Sequence, residues 1–255
     1  MPTSTSLRNT VLAGAVLAAG MLSACGPNGA KETSSESHVY DEAITSIELE
    51  SSGGNIEVKA GDVDKVEVER EFRWNDEKPA SAETVDDGTL RVSTQGCGGL
   101  NSNSCSISYE FTVPHDVDVD LDTEAGNIDL TGLQGKVLAH TDAGNVVGTG
   151  LAAKEAEVGT DAGNVDIRVA GEADKIEAST DAGNVTVNLA VPAKEVEANS
   201  DAGNVAVVVP DDGTEYKVDA GTSAGKMSIE VPENDESERT IEAKTDAGNV
   251  RVDFR

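Results

Sequence analysis

The sequence predicts an all-β fold: a β-solenoid, or β-helix, of about seven stacked rungs with an elaborated N-terminal cap. The first observation behind this is a repeated hexapeptide, Thr-Asp-Ala-Gly-Asn-Val. It occurs unchanged at Thr141–Val146, Thr160–Val165, Thr180–Val185 and Thr245–Val250, and with a leading Ser at Ser200–Val205. Weaker copies stand at Thr123–Ile128, Thr222–Met227 and Ser51–Ile56. The glycines Gly126, Gly144, Gly163, Gly183, Gly203, Gly225 and Gly248 are separated by 18, 19, 20, 20, 22 and 23 residues. A period near twenty residues is the signature of stacked repeats.

The second observation is the alternation on both sides of the motif. Ile176, Ala178 and Thr180 precede it and Val185, Val187 and Leu189 follow it, with polar residues between. Period-two alternation of β-branched residues predicts half-buried strands. Each repeat therefore reads as strand, tight turn, strand and connector. Asp-Ala-Gly-Asn suits a turn in which Gly takes φ > 0 and the Asp side chain accepts from a nearby backbone N–H.

The third observation is identity at one phase. An antiparallel meander with these motifs as hairpin turns would explain the period. It would not explain why every turn carries the same residues, whereas parallel stacking sets like on like at roughly 4.8 Å per rung. Asn127, Asn145, Asn164, Asn184, Asn204 and Asn249 should then form an amide ladder.

Taken in order, residues 1–24 read as a targeting segment. Arg8 is the basic flank and Val11–Leu22 the apolar run, too short to span a bilayer. The run ends in Leu22-Ser23-Ala24-Cys25, which resembles the bacterial lipobox; that resemblance implies cleavage before Cys25 and lipidation there. Residues 25–40 are rich in Gly, Ser and Glu and read as a disordered tether. Residues 41–116 form an N-terminal β section, a cap or an elaborated first layer, with longer strands and a weak copy of the turn at Gly54. It holds the only Trp and two of the three Phe. Residues 117–255 are the repeats.

Three cysteines are present. With Cys25 lipidated, Cys97 and Cys105 remain, and an even pair in an exported chain argues for a disulfide across a loop.

The lipobox, the tether, the repeated Ala-Gly-Asn-Val/Ile turns and the segment Phe111-Thr-Val-Pro114-His-Asp-Val-Asp-Val resemble a family of bacterial adhesin-type lipoproteins. That family carries a β-strand-repeat domain of unknown function. The resemblance covers about Ile44 to Arg255. It implies a fold, an extracytoplasmic lipid-anchored location in the cell envelope and no catalytic residues.

Composition narrows the chemistry. Formal net charge is −29; removing residues 1–24 removes one basic residue and no acid, leaving −30, which would repel nucleic acid. Aromatics are 3% of residues, so stacking platforms for bases or sugars are scarce. The three His (His38, His115 and His140) do not fall into a nucleophile–base pattern. No cofactor is expected.

The one constellation with chemical potential is the column Glu124, Asp142, Asp161, Asp181, Asp201 and Asp246, with Ser223 interrupting. Stacked carboxylates roughly 5 Å apart repel by about 1 kcal/mol in water and several times that if dried. They should splay, meet Lys, cap their own turns or share a cation. Ca²⁺ would need six to eight hard oxygens, which adjacent carboxylates and turn carbonyls could partly supply. Retaining glycosidases also hold two carboxylates about 5 Å apart, but a ladder supplies that spacing without any site.

The sequence thus predicts a non-enzymatic, lipid-anchored surface protein, an adhesin or an envelope-binding scaffold. Its partners would be the membrane, through the anchor, and an envelope polymer or surface protein. One alternative is a Ca²⁺-dependent binding module using the Asp column, with Asp142, Asp161, Asp181, Asp201 and Asp246 as metal candidates. Another is a polysaccharide-active β-helix enzyme.

Overall fold

The computed structural model describes residues 32–95 and 105–255, and among them are 21 strands and no helix. The N-terminal section contributes β1 (Glu32–Val39), β2 (Ser46–Ser51), β3 (Ile56–Ala60), β4 (Glu67–Trp74), β5 (Ala80–Asp86), β6 (Thr89–Gln95) and β7 (Ser106–Val113). Strand pairs then follow, each turning a corner at Gly-Asn or its equivalent. They are β8 and β9 (Asp118–Ala125, Ile128–Thr131), β10 and β11 (Val137–Ala143, Val146–Leu151), and β12 and β13 (Glu155–Ala162, Val165–Val169). Next come β14 and β15 (Lys175–Ala182, Val185–Leu189) and β16 and β17 (Glu195–Ala202, Val205–Val209). The last two pairs are β18 and β19 (Lys217–Ala224, Met227–Ile229) and β20 and β21 (Thr240–Ala247, Val250–Phe254).

The strands before each corner build a ten-stranded sheet and those after it an eleven-stranded sheet. Pairing between repeats is parallel and in phase: Thr160 lies opposite Thr180, Ala162 opposite Ala182 and Val165 opposite Val185. This overturns the hairpin-meander alternative. Antiparallel pairs occur at one end, where β1 joins β4, β4 joins β7 and β5 joins β6.

The core lies between the sheets. Alternate side chains such as Ile176, Ala178, Val185 and Val187 point inward and are fully buried. Each carries its apolar area out of water at about 25 cal/mol per Å². Gly148 interrupts one inward column, and Leu151 fills the space: a Cβ on Gly148 would lie 2.8 Å from Leu151 Cδ1.

The layers do not follow chain order. Reading both sheets from the β5 end gives β6–β7, β2–β3, β8–β9 and so on to β16–β17, then β20–β21, then β18–β19. The weak copy at Thr222–Met227 is outermost, and the intact copy at Thr245–Val250 is enclosed. The reason lies in the side chains. Ile241, Ala243, Val250 and Val252 have a neighbour on each side and are buried, whereas Met227 is 52% exposed. Connector 210–216 reaches across the skipped layer and connector 230–239 steps back by one, while connector 190–194 only steps to the next one.

Two further expectations change. The section 41–116 is more than a cap, because β2–β3 and β6–β7 are layers of the stack. The tether reading of residues 25–40 fails from residue 32 onward, because Glu32–Val39 form β1 against β4. Polar composition marks an edge strand here, since β1 buries little and needs only a backbone partner. Residues 1–31 and 96–104 lie outside the described residues, and with them the targeting segment, Cys25 and Cys97.

The β5 end is closed by side chains. Glu83 of β5 accepts from the Tyr40 hydroxyl at 2.6 Å and from the Arg70 guanidinium, and Ser81 links it to the Tyr109 hydroxyl at 2.9 Å. Glu83 belongs to one sheet and Arg70 to the other, so the pair bridges the mouth of the core.

Candidate functional site

The corner is built from three columns of side chains. The buried hydroxyls come first. Thr141, Thr160, Thr180, Ser200 and Thr245 each donate to a Gly carbonyl of the adjacent layer at 2.9–3.0 Å. Those carbonyls sit where the next glycine passes. A Cβ on Gly203 would lie 1.6 Å from Gly183 O, and on Gly183 1.7 Å from Gly163 O. The same collision, at 1.7–2.1 Å, holds for Gly54, Gly126, Gly144, Gly163, Gly248 and Gly225. Glycine is therefore required by backbone stacked on backbone. The expected φ > 0 holds at Gly54, Gly126, Gly163, Gly183 (155°) and Gly248, but Gly144, Gly203 and Gly225 lie outside that range, so the collision is what all eight share.

The asparagines form the predicted ladder. The backbone N–H of Asn145, Asn164, Asn184 and Asn204 donates to Oδ1 of the preceding Asn at 2.9 Å, and each Nδ2 reaches the same oxygen at 2.9–3.2 Å. The ladder begins at Ser108, runs through Asn55, Asn127 and Asn249, and stops at Lys226, whose N–H donates to Asn249 Oδ1 at 3.0 Å. Lys226 has no amide to offer onward.

The third column is the acids. Asp142, Asp161, Asp181, Asp201 and Asp246 are exposed at the strand ends. Among the described residues none of them accepts from a turn N–H, so the expected Asp cap is replaced by the Asn bond. On the ten-stranded sheet a second acidic column runs beside them, through Glu48, Asp120, Glu157, Glu177, Glu197 and Glu242, broken by Leu138. Lys175 sits among Glu177, Glu195 and Glu197 at 3.1–3.6 Å, and bonds to Glu177 and Glu197 push its pKa up. The Asp120 carboxyl is raised from its ordinary value by burial first, then by Glu48 and Asp122, against the pull of Lys136.

The acidic column is not uniform. Between the two acidic columns the outward positions are Asp122, His140, Gly159, Ser179, Asn199 and Lys244. His140 Nε2 lies 3.6 Å from Asp142 Oδ1 and 3.4 Å from Asp161 Oδ1. Beside it is a depression of about 260 Å³ lined by Asp120, Asp122, His140, Glu157 and Gly159 among others. The metal candidates thus separate. Asp142 and Asp161 are brought together with a nitrogen ligand, while Asp181, Asp201 and Asp246 are not. Sequence reasoning missed His140, although its position two residues before Asp142 on a strand places both on one face. No helix among the described residues is long and apolar enough to cross a membrane.

The repeat corners and both sheets fall largely within residues 99–255, the span matched by the model of the Toastrack DUF4097 family. The chain belongs to that family. Solved structures similar to it include a candidate adhesin from Bacteroides fragilis, 16% identical, covering 87% of this chain and 97% of that one at TM-score 0.48. A candidate cell adhesion protein from Clostridium sporogenes is 15% identical over 88% of this chain and 100% of its own at TM-score 0.43. A candidate adhesin from Parabacteroides merdae is 12% identical over 90% and 98% at TM-score 0.37. No curated protein matches the chain.

Proposed function

We propose that this Toastrack chain is a non-enzymatic surface protein of the bacterial cell envelope, a β-solenoid that presents ordered acidic faces to an envelope polymer or surface protein. The observation that carries the reading is the regularity of the outward columns. Carboxylates repeat layer after layer on a backbone locked by the Gly, Thr and Asn columns. A rigid periodic array suits multivalent binding, in which many weak contacts add without ordering entropy.

The anchor belongs to the same proposal. Cys25 carries the lipid, and Cys97 and Cys105 close a disulfide over the loop at the β6–β7 corner. With β1 beginning at Glu32, only a short segment would separate the lipid from the folded stack, so the β5 end faces the membrane.

The test is a binding screen of residues 26–255 against cell-wall polymers and glycans, with and without Ca²⁺. Saturable binding that weakens in Asp181→Asn plus Asp201→Asn supports the reading. Release of shortened sugar products from any polymer would replace it with the enzymatic one. For the anchor, Cys25→Ser should move the protein from membranes to the soluble fraction, and unchanged detergent partitioning would rule the lipid out.

A further inference from the structure

We infer that His140, Asp142 and Asp161 form a binding site for a divalent transition-metal ion of the zinc class. The three residues each offer one ligand atom, and these atoms lie within 4.8 Å of one another. They come from two adjacent strands, β10 and β12, whose register is fixed by Thr141 opposite Thr160 and Ala143 opposite Ala162.

The spacing matches the chemistry. A tetrahedral ion with ligand bonds of 2.0–2.1 Å separates its ligands by about 3.3–3.4 Å. The Nε2-to-Oδ1 distances of 3.4 and 3.6 Å lie close to that edge length, and the two carboxylates, within 4.8 Å of each other, need only a small side-chain turn to close onto an ion. One imidazole and two carboxylates form a mixed set that suits zinc and its neighbours and does not suit Ca²⁺, which takes oxygen ligands in larger number. A three-ligand site leaves a fourth position for water or for a donor on a partner, as open zinc sites do.

The rest of the column works as an internal control. In the neighbouring layers the place of His140 is taken by Ser179, Asn199 and Lys244, so Asp181, Asp201 and Asp246 have the same backbone setting without the nitrogen. Lys244 would repel a cation. Gly159 stands next to His140 in register, and a Cβ there would lie 3.3 Å from His140 Nδ1. A glycine inside a strand leaves room for the imidazole to swing toward both carboxylates. The site is independent of whether the protein binds an envelope polymer.

The experiment uses the untagged chain, with Zn²⁺ titrated calorimetrically and Co²⁺ followed by its visible absorption. The expected result is one saturable Zn²⁺ per chain and a tetrahedral Co²⁺ spectrum. His140→Ala and Asp161→Asn should each weaken binding at least about tenfold, the scale of losses at metal sites. Asp181→Asn and His115→Ala should leave it within about twofold. Circular dichroism of each variant checks that the strands persist, as is expected for exposed positions. Binding that survives His140→Ala, a Ca²⁺ affinity equal to that for Zn²⁺, or no saturable binding at millimolar Zn²⁺ would each overturn the site.

Discussion

At the β5 end of the stack, the gap between the sheets is spanned by Glu83, Arg70, Tyr40, Ser81 and Tyr109, none of which belongs to the repeat. At the β18–β19 end no such network is found among the described residues. There the closing layer is a worn copy of the repeat itself, with Lys226 in the Asn column and Met227 in the Val column. Arg239 ties the connector that leads away from this layer to the carbonyls of Pro192 and Ala193 at 3.2 and 2.9 Å. An open core can thus be covered by adding new chemistry or by making the last copy more polar. The first route concentrates stability in a few bonds. The second spreads it thinly, and charges on the edge discourage further pairing.

The largest effect is expected at Glu83. Glu83→Ala leaves the Tyr40 hydroxyl without its partner and the half-buried Arg70 cation with only Glu36, at 3.9 Å, and about 3 kcal/mol of stability should be lost. Urea denaturation of the variant measures it. A loss under about 1 kcal/mol would mean that the β5 end is held by strand pairing alone.

The glycine column sharpens the contrast between interior and end. Gly203→Ala forces a Cβ against Gly183 O within a layer held on both sides, and should cost about 3 kcal/mol or more. Gly225→Ala makes the same clash in the outermost layer, which has one neighbour and can shift, so the melting temperature should fall less. Gly61→Ala meets nothing within 4 Å and should be near neutral. Gly171 would be a poorer control, because a Cβ there lies 2.7 Å from Ala152 Cβ. Equal melting shifts at Gly203 and Gly225 would show that the outer layer is as rigid as the interior.

Two buried tyrosines should respond with opposite signs. Tyr109→Phe loses the bond to Ser81, about 1 kcal/mol, whereas the Tyr216 hydroxyl is buried without a partner and Tyr216→Phe should be neutral or stabilising. Burial pushes both phenols up to about 12. The unfolded chain ionises near pH 10, so the stability these groups confer is intact below that value and drains away as pH rises toward about 12. Each Phe variant should flatten part of that alkaline decline in thermal melts.

The smallest expected effect is at Lys226. Lys226→Asn should change stability by only a few tenths of a kcal/mol. It would, however, present an unclaimed amide and a less charged edge, and sedimentation should detect more end-to-end association.

Much of this was legible in the sequence. The motif Thr-Asp-Ala-Gly-Asn-Val gave the strand–corner–strand unit, the parallel register and the Asn ladder. The layer order also leaves a trace there. Glycine steps of 22 and 23 against 20 are what longer connectors produce, and Lys226 and Met227 marked the outer copy. The positive φ of Gly183 is legible from the turn chemistry, whereas the collision at Gly203 is not, because it involves a second layer that no local reading contains. β1 was missed because Glu32–Val39 has nothing to bury, and an edge strand can form on backbone bonds alone. His140 was seen only as one of three histidines, since its partner Asp161 is a neighbour through the period and not through the chain.

The displaced order of the last two units has a mechanical consequence. A stack whose final unit is also its outer layer can be unzipped by pulling that unit away, one row of bonds at a time. Here a pull on β20–β21 must shear two rows at once, against β16–β17 on one side and β18–β19 on the other. The outer unit, for its part, is held by chain at both ends and cannot leave even when its bonds open. A load on β20–β21 should therefore open this stack later than the same load would open a stack built in chain order.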